Sequence, residues 1–319
     1  MDKRLDVITI GDGMVTMNPK SRGPLRFVGD FERKVGGAEL NLAIGCARLG
    51  LRTGWISRLG NDEFGKYIYN FARGEGIDVT HVELLDGYPT SVNFKEIRED
   101  GTGSTFYYRM NSPMLTMTAD HLPEEEIKRA RILHLTGVFS AISRHDMSVI
   151  YRAIEIAKNN GVLVAFDPNI RLKLWSKEEA RQCLGPLLPS VDIMLTGQDE
   201  AELLLGVSDP DDIIRSFAEM GIRRIAIKRG AEGSIGYDNG QRISKPALPP
   251  NAIVDTVGAG DGFDAGFLLG VVKGWPLDKV MTFANAVGSM VVSVSGDNEG
   301  LPFYEEVLQK LGLEQRIGR

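Results

Sequence analysis

From residue 132 onward the chain alternates short apolar runs with helical patterns, and few folds accommodate that rhythm. Residues 132–135, 162–166, 192–195 and 224–228 are apolar runs of strand length. Between them lie apolar residues at helical spacing, such as Met147, Ile150, Ile154 and Ala157, and a further helical stretch opens at Glu200. Strands parted by helices lie side by side through crossovers, so the pattern predicts a parallel sheet with helices on both faces. Sheets of that kind bind ligands in the crevice beyond the carboxyl ends of their strands.

Residues 5–10, stopped by Gly11-Asp12-Gly13, add a buried strand, and residues 53–59 another. Leu40, Ala43, Ile44 and Ala47 make one helical apolar face between them. One segment breaks the alternation. Val92, Phe94 and Ile97, then Phe106 and Tyr108, fall in extended runs parted by Glu99-Asp100-Gly101-Thr102-Gly103, a hairpin signal. With the stretch around residues 26–34 it predicts a small β lid, inserted at about residues 14–35 and 88–112 of a single α/β domain spanning 1–319.

The balance of 37 basic against 43 acidic residues, net −6, gives no electrostatic footprint for nucleic acid. No apolar run reaches the ~18 residues of a membrane span, and the first ten residues lack the apolar core of a signal peptide. A cytoplasmic protein handling a small molecule is the expectation. Cys46 and Cys183 cannot form a disulfide framework and read as small core hydrophobes. The four histidines show no ligand spacing, and no Gly-x-Ser-x-Gly elbow occurs, so neither a zinc site nor a serine hydrolase has support.

The densest feature runs from Asp255 to Phe267, with glycines at 258, 260, 262 and 266. A strand-like run at 252–254 precedes it, and an amphipathic helix from Gly260 to Val272 follows. Glycines at a helix start let backbone N–H groups converge on an anion, and the helix dipole adds partial positive charge there. The alternative is a glycine-rich cap with an ordinary acidic first turn. Phe263 stands where a dinucleotide fingerprint needs its third glycine, and no Gly-Lys-Ser/Thr follows. Asp261 sharpens the choice, because a carboxylate inside an anion nest repels a bound phosphate. A phosphoryl transfer, in contrast, needs a base beside backbone donors. A second cluster, Gly36-Gly37-Ala38-Glu39-Leu40-Asn41, also opens a helix and offers Asn41 to a polyol, or is simply a turn and cap.

Gly36-Gly37 with Asn41, Ala43, Leu49-Gly50, Gly60-Asn61-Asp62 and Gly65 resembles the first signature of ribokinase-like (PfkB) carbohydrate kinases. Asp255-Thr256, Gly258-Ala259-Gly260-Asp261, Phe263 and Gly266-Phe267 resemble their second. The resemblance implies a ribokinase-like three-layer sandwich with a mostly parallel central sheet and a β-sheet lid. It also implies phosphorylation of a sugar hydroxyl by ATP with Mg²⁺, Asp261 as base and the amides of Gly258, Ala259, Gly260 and Asp261 around the transferring group. Lys228, Arg229, Gly230, Gly233 and Asn285 would lie along the nucleotide, with Glu200 behind Mg²⁺ and a monovalent cation such as K⁺ near Asp255. Gly197 stands where many members carry Asn.

Phe106-Tyr107-Tyr108-Arg109, Asp167-Pro168-Asn169-Ile170-Arg171 with Leu174-Trp175, and Ser295-Gly296-Asp297-Asn298-Glu299-Gly300 resemble 2-keto-3-deoxygluconate kinases within that family. An arginine fork suits the planar carboxylate of such a substrate, which points to Arg109 and Arg171. Asp12, Gly37, Asn41, Asn93, Tyr107 and Asp297 complete the implied sugar site, Asn93 standing where some of these kinases carry tyrosine. The resemblance thus implies 2-dehydro-3-deoxy-D-gluconate phosphorylated at C6 by a homo-oligomer. A fructokinase, ribokinase or 5-dehydro-2-deoxygluconokinase, a nucleoside or vitamin kinase, and a non-catalytic sugar-acid sensor are the alternatives.

Overall fold

In the computed structural model, which describes residues 4–98 and 103–314, thirteen strands form two sheets. In chain order they are β1 (Leu5–Ile10), β2 (Met14–Pro19), β3 (Phe31–Gly36), β4 (Thr53–Gly60), β5 (Val82–Leu85), β6 (Ser91–Ile97) and β7 (Gly103–Tyr108). Then follow β8 (Ala130–Thr136), β9 (Leu163–Asp167), β10 (Ile193–Gly197), β11 (Arg224–Lys228), β12 (Ser234–Asp238) and β13 (Gln241–Lys245).

The main sheet has the order β13-β12-β11-β10-β9-β8-β1-β4-β5. From β11 to β5 every pairing is parallel, with Val7 opposite both Thr53 and Ile132. Its strands are apolar on both faces because both faces are covered. Val164 and Phe166 of β9, Met194 of β10, and Ile225 and Ile227 of β11 pack into one core with Phe139, Ile150 and Phe217. The intervening Ala165, Ile193, Leu195 and Ala226 pack into another, with Phe267, Leu268 and Phe283.

The helix Ala259–Val272 departs from the expected amphipathic pattern: Asp261 to Gly270 are all buried. Its glycines explain how. Gly262, Gly266 and Gly270 repeat every four residues against the helix Leu277–Val291, where a Cβ at Gly266 would stand 3.0 Å from the Cα of Ala284 and one at Gly270 2.7 Å from Val280. Half of the glycine cluster therefore serves close helix packing rather than a ligand.

The lid is a four-stranded sheet, β3-β2-β6-β7, with β2 and β6 parallel at its centre and antiparallel edges. It comes from two excursions, one after β1 and one after β5, at the places read from the sequence. The turn at 99–102 lies outside the described residues. The expected strand at 252–254 does not form: Ile253 and Val254 are 76% and 56% exposed in an irregular segment. Among the described residues no helix is long and apolar enough to cross a membrane, and Cys46 is buried and Cys183 half-buried, both as free thiols.

Candidate active site

Asp12, Asp167, Gly197 and Lys228 follow or end β1, β9, β10 and β11, so their side of the sheet is the one where parallel strands present loops. The lid closes over it. The resulting cleft of about 440 Å³ is lined by Asp261, Asn41, Arg171 and Glu200 from the body and by Asn93, Tyr107 and Arg109 from the lid, among others.

Asp261 sits in the first turn of the helix Ala259–Val272, buried, with Oδ2 accepting from Asn41 Nδ2 at 2.8 Å. Its Oδ1 faces no donor among the described residues. Burial pushes its pKa up to about 6; the Asn41 hydrogen bond opposes this, Asp167 adds to it, and Arg171 and Lys228 pull it back. The helix starts at Gly258, whose left-handed backbone (φ 79°, ψ −10°) turns the chain sharply into the first turn. The N–H groups of Gly260 and Asp261 have no acceptor among the described residues, while that of Ala259 points to the Thr256 carbonyl at 3.4 Å. Two of the expected donors are free and the third is turned aside.

Gly37, at φ 130°, starts the helix Ala38–Arg48 so close to β1 that a Cβ would stand 2.5 Å from the Asp12 carbonyl oxygen. Arg109 is no solvated strand charge: its Nη2 donates to Asp12 Oδ2 at 2.9 Å, and both are largely buried. Asp12 also accepts from Ser91 Oγ at 2.9 Å and Ser112 Oγ at 3.4 Å; burial raises its pKa and these partners oppose the rise. Arg171 is exposed on the cleft wall and makes no side-chain hydrogen bond or ion pair among the described residues. Asn93 Nδ2 donates to Thr16 Oγ1 at 3.1 Å, and its Oδ1 is buried without a partner. Asp297 accepts from Lys95 Nζ at 2.6 Å.

Glu200 accepts from the backbone N–H of Ile170 at 2.8 Å and of Gly197 at 2.9 Å, so it pins the loop that carries Arg171. Burial and Asp167 both raise its pKa. Gly197 leaves the start of the helix Gln198–Leu205 without a side-chain cap.

The Lys-Arg pair after β11 is not surface charge. Lys228 Nζ reaches Asp264 at 3.0 Å and Asp167 at 3.5 Å; burial opposes its charge, but these carboxylates outweigh it and raise its pKa. It lies beneath Gly260, 3.6 Å from where a Cβ would be. Arg229 is bound to Gln198 and Glu232, and Asn285 accepts from Ser234 Oγ at 2.9 Å and donates to Pro246 O at 3.2 Å. Arg229, Gly230, Gly233 and Asn285 do not line the cleft.

Three cleft or near-cleft side chains escape the sequence reading: Lys95, Asp264 and Glu39. Glu39 is wholly buried beside Gly11; Thr136 Oγ1 donates to its Oε1, while Oε2 has no partner. Burial pushes it from 4.5 to about 7, with Thr136 and Arg109 opposing. A carboxyl raised on folding costs stability as pH climbs through 4.5 to 7, and the full cost stands above 7. Glu39→Gln keeps an acceptor for Thr136 and cannot ionise. It is expected to stabilise the fold by up to about 3 kcal/mol at pH 8 and by under about 1 kcal/mol at pH 5, read from denaturant midpoints. Equal gains at both pH values would trace the effect to packing instead.

A sheet of this topology, a lid, and a buried carboxylate beside unpaired helix-start amides define a phosphoryl-transfer enzyme. The chain matches the model of the pfkB family carbohydrate kinases over residues 4–303 and belongs to that family. It is 33% identical to the 2-dehydro-3-deoxygluconokinase of Bacillus subtilis, covering 98% of each chain. It is 31% identical to the 5-dehydro-2-deoxygluconokinase of Geobacillus thermodenitrificans over 96% of this chain and 93% of that one. A protein of Escherichia coli provisionally assigned as Ribokinase II, solved with ATP and Mg²⁺, superposes with a TM-score of 0.90 at 27% identity, covering 97% of this chain and all of that one. The chain is thus a carbohydrate kinase.

Proposed function

We propose that this kinase phosphorylates 2-dehydro-3-deoxy-D-gluconate on its C6 hydroxyl, using ATP with Mg²⁺. The observation that carries the substrate is Arg171, a cleft arginine with no partner of its own, beside Arg109, which is oriented by Asp12. An uncompensated guanidinium facing a sugar site suits a carboxylate and is superfluous for a neutral sugar. The relatedness to two deoxygluconate kinases supports the same class.

In this reading Asp261 takes the C6 proton on Oδ1, since Asn41 holds Oδ2. The Gly260 and Asp261 amides accept the incoming phosphoryl oxygens. Asn93, Tyr107 and Asp297 contact the keto and hydroxyl groups, and Gly37 lets the sugar approach the backbone. The residues present fit a nucleotide: free amides open a buried helix, and the turn at Gly230 and Gly233, with Arg229 and Asn285 nearby, offers a path for its remainder. Mg²⁺ held mainly by phosphates and water needs few protein ligands, in keeping with the lack of a three-ligand cluster among the described residues. When bound, it would neutralise charge on the phosphates. Glu200 would act on it only through water, Lys228 supports the amides from below, and Asp255 is the candidate contact for a monovalent cation.

The test is ADP release with Mg²⁺-ATP on both keto-deoxy acids, fructose, ribose and adenosine, for the wild type and Arg171→Ala. Wild-type turnover is expected on 2-dehydro-3-deoxygluconate. Arg171→Ala should raise KM for it about 10–10²-fold, the value of a charge-assisted hydrogen bond. Turnover on neutral sugars alone would remove the carboxylate assignment, and turnover only on the 5-dehydro acid would move the substrate to the second relative's.

A further inference from the structure

Lys95 is a lid residue whose ammonium group lies in the body of the enzyme. It leaves β6, is nearly buried, and donates to Asp297 Oδ1 at 2.6 Å and to Asp255 Oδ2 at 3.4 Å. Burial opposes its charge; the two carboxylates outweigh that and raise its pKa. Asp255 and Asp297 belong to the two segments that bracket Gly258. The Asp297 carbonyl oxygen lies against Gly258 so closely that a Cβ there would overlap it. Two further ties join the lid to the same segment: Lys34 of β3 donates to Ser295 O at 2.8 Å, and Asn298 Nδ2 to Val35 O at 2.6 Å.

We propose that Lys95 is a positioning residue that transmits the placement of the lid, through Asp297 and Asp255, to the backbone at Gly258 and so to the direction of the Gly260 and Asp261 amides. This rests on the assignment of those amides to the phosphoryl group. Donors displaced by an ångström lose most of their effect on a transfer reaction, so the ion pair acts on the chemical step more than on sugar binding. A lysine stem, flexible alone, is fixed here by two acceptors from different segments, which makes it a tie and not a surface charge.

The experiment compares Lys95→Met and Lys95→Arg with the wild type by steady-state ADP release and by amide hydrogen exchange over 256–262 and 292–298. Lys95→Met is expected to lower kcat about 10–10²-fold, with KM for the sugar acid changed less than about threefold, and to speed exchange in both segments. Lys95→Arg should recover most of kcat and of the protection. In Lys95→Met/Asp297→Asn the losses should not add, because the two side chains act as one unit. A raised sugar-acid KM at unchanged kcat would make Lys95 a substrate contact and overturn the proposal, as would unchanged exchange in the Met variant. Lys95→Gln serves if the Met variant does not fold. Asp261→Asn, measured in parallel, separates the two levels: an active Asp261→Asn sinks the phosphoryl assignment, whereas an inactive one beside a Lys95→Met of wild-type kcat sinks only the coupling.

Discussion

Asp261→Asn is expected to retain binding of nucleotide and sugar while kcat falls at least ~10²-fold, the low end for loss of a positioned general base. The substitution is nearly isosteric, and the contact with Asn41 can persist through the new amide. What disappears is the lone pair on Oδ1 that accepts a proton. The pH profile gives a second, independent reading. A base with a pKa near 6 must be ionised to act, so wild-type kcat/KM should rise with pH to a plateau above about 6. The residual activity of the Asn variant should lack that limb. Stability should move the other way. Folding raises this carboxyl from 3.8 to about 6, so its cost grows through that window and is complete above it. The Asn variant should therefore unfold at a higher temperature than wild type at pH 8 and at nearly the same temperature near pH 4. An enzyme that loses turnover while gaining stability is one in which burial of Asp261 serves chemistry rather than the fold. Unchanged turnover would remove Asp261 from the base role.

The alternation of strand and helix was legible because each strand of the parallel sheet is apolar on both faces and each connecting helix on one. Where neighbours in sequence are not neighbours in function, legibility ends. Lys95 and Asp297 are 202 residues apart, and nothing local marks a lysine in an alternating lid strand as buried. Lys228 read as surface charge because its partners, Asp264 and Asp167, arrive from other elements. Asp264 itself lies three residues after Asp261, hidden inside a helix whose glycine stripe leaves no polar side. Other misses had a signal. Asp238-Asn239-Gly240 joins β12 to β13, with both Asn239 and Gly240 at positive φ, and Asn-Gly between extended runs is the strongest short hairpin sign. Glu39 follows Gly36-Gly37-Ala38 at the start of an apolar helix, where an acidic residue ordinarily meets solvent and the dipole. Only the tertiary fold, which packs Gly11 directly over it, makes that carboxyl buried. The run at 252–254 failed as a strand for a related reason: β-branched composition is satisfied only where a partner strand offers its edge, and β13 already closes that side of the sheet.

Gly258→Ala is expected to cost about 10²–10³ in kcat, comparable to removal of one donor from an oxyanion hole. Two effects combine at this position. Its left-handed backbone imposes a penalty of about 1–2 kcal/mol on any residue with a Cβ. The added methyl also meets the carbonyl of Asp297, which is backbone and cannot rotate away. Relief requires either a shift of Gly258, which redirects the Gly260 and Asp261 amides, or a shift of the Asp297 segment, which pulls on Lys95 and the lid. Both routes disturb the transfer step while leaving Arg109 and Arg171 where they are, so KM for the sugar acid should change far less than kcat. Gly260→Ala is the matched comparison. Its backbone is ordinary helix, and the atom nearest to its Cβ is the end of Lys228 at 3.6 Å, normal contact. It should therefore keep or slightly gain thermal stability, as alanine does over glycine in a helix, whereas Gly258→Ala should lose stability. If Gly258→Ala lowers the unfolding temperature but turns over normally, the amide geometry at this helix start is not what holds the phosphoryl group. Loss of kcat in Gly258→Ala, with Gly260→Ala at wild-type stability, would tie the left-handed turn itself to catalysis.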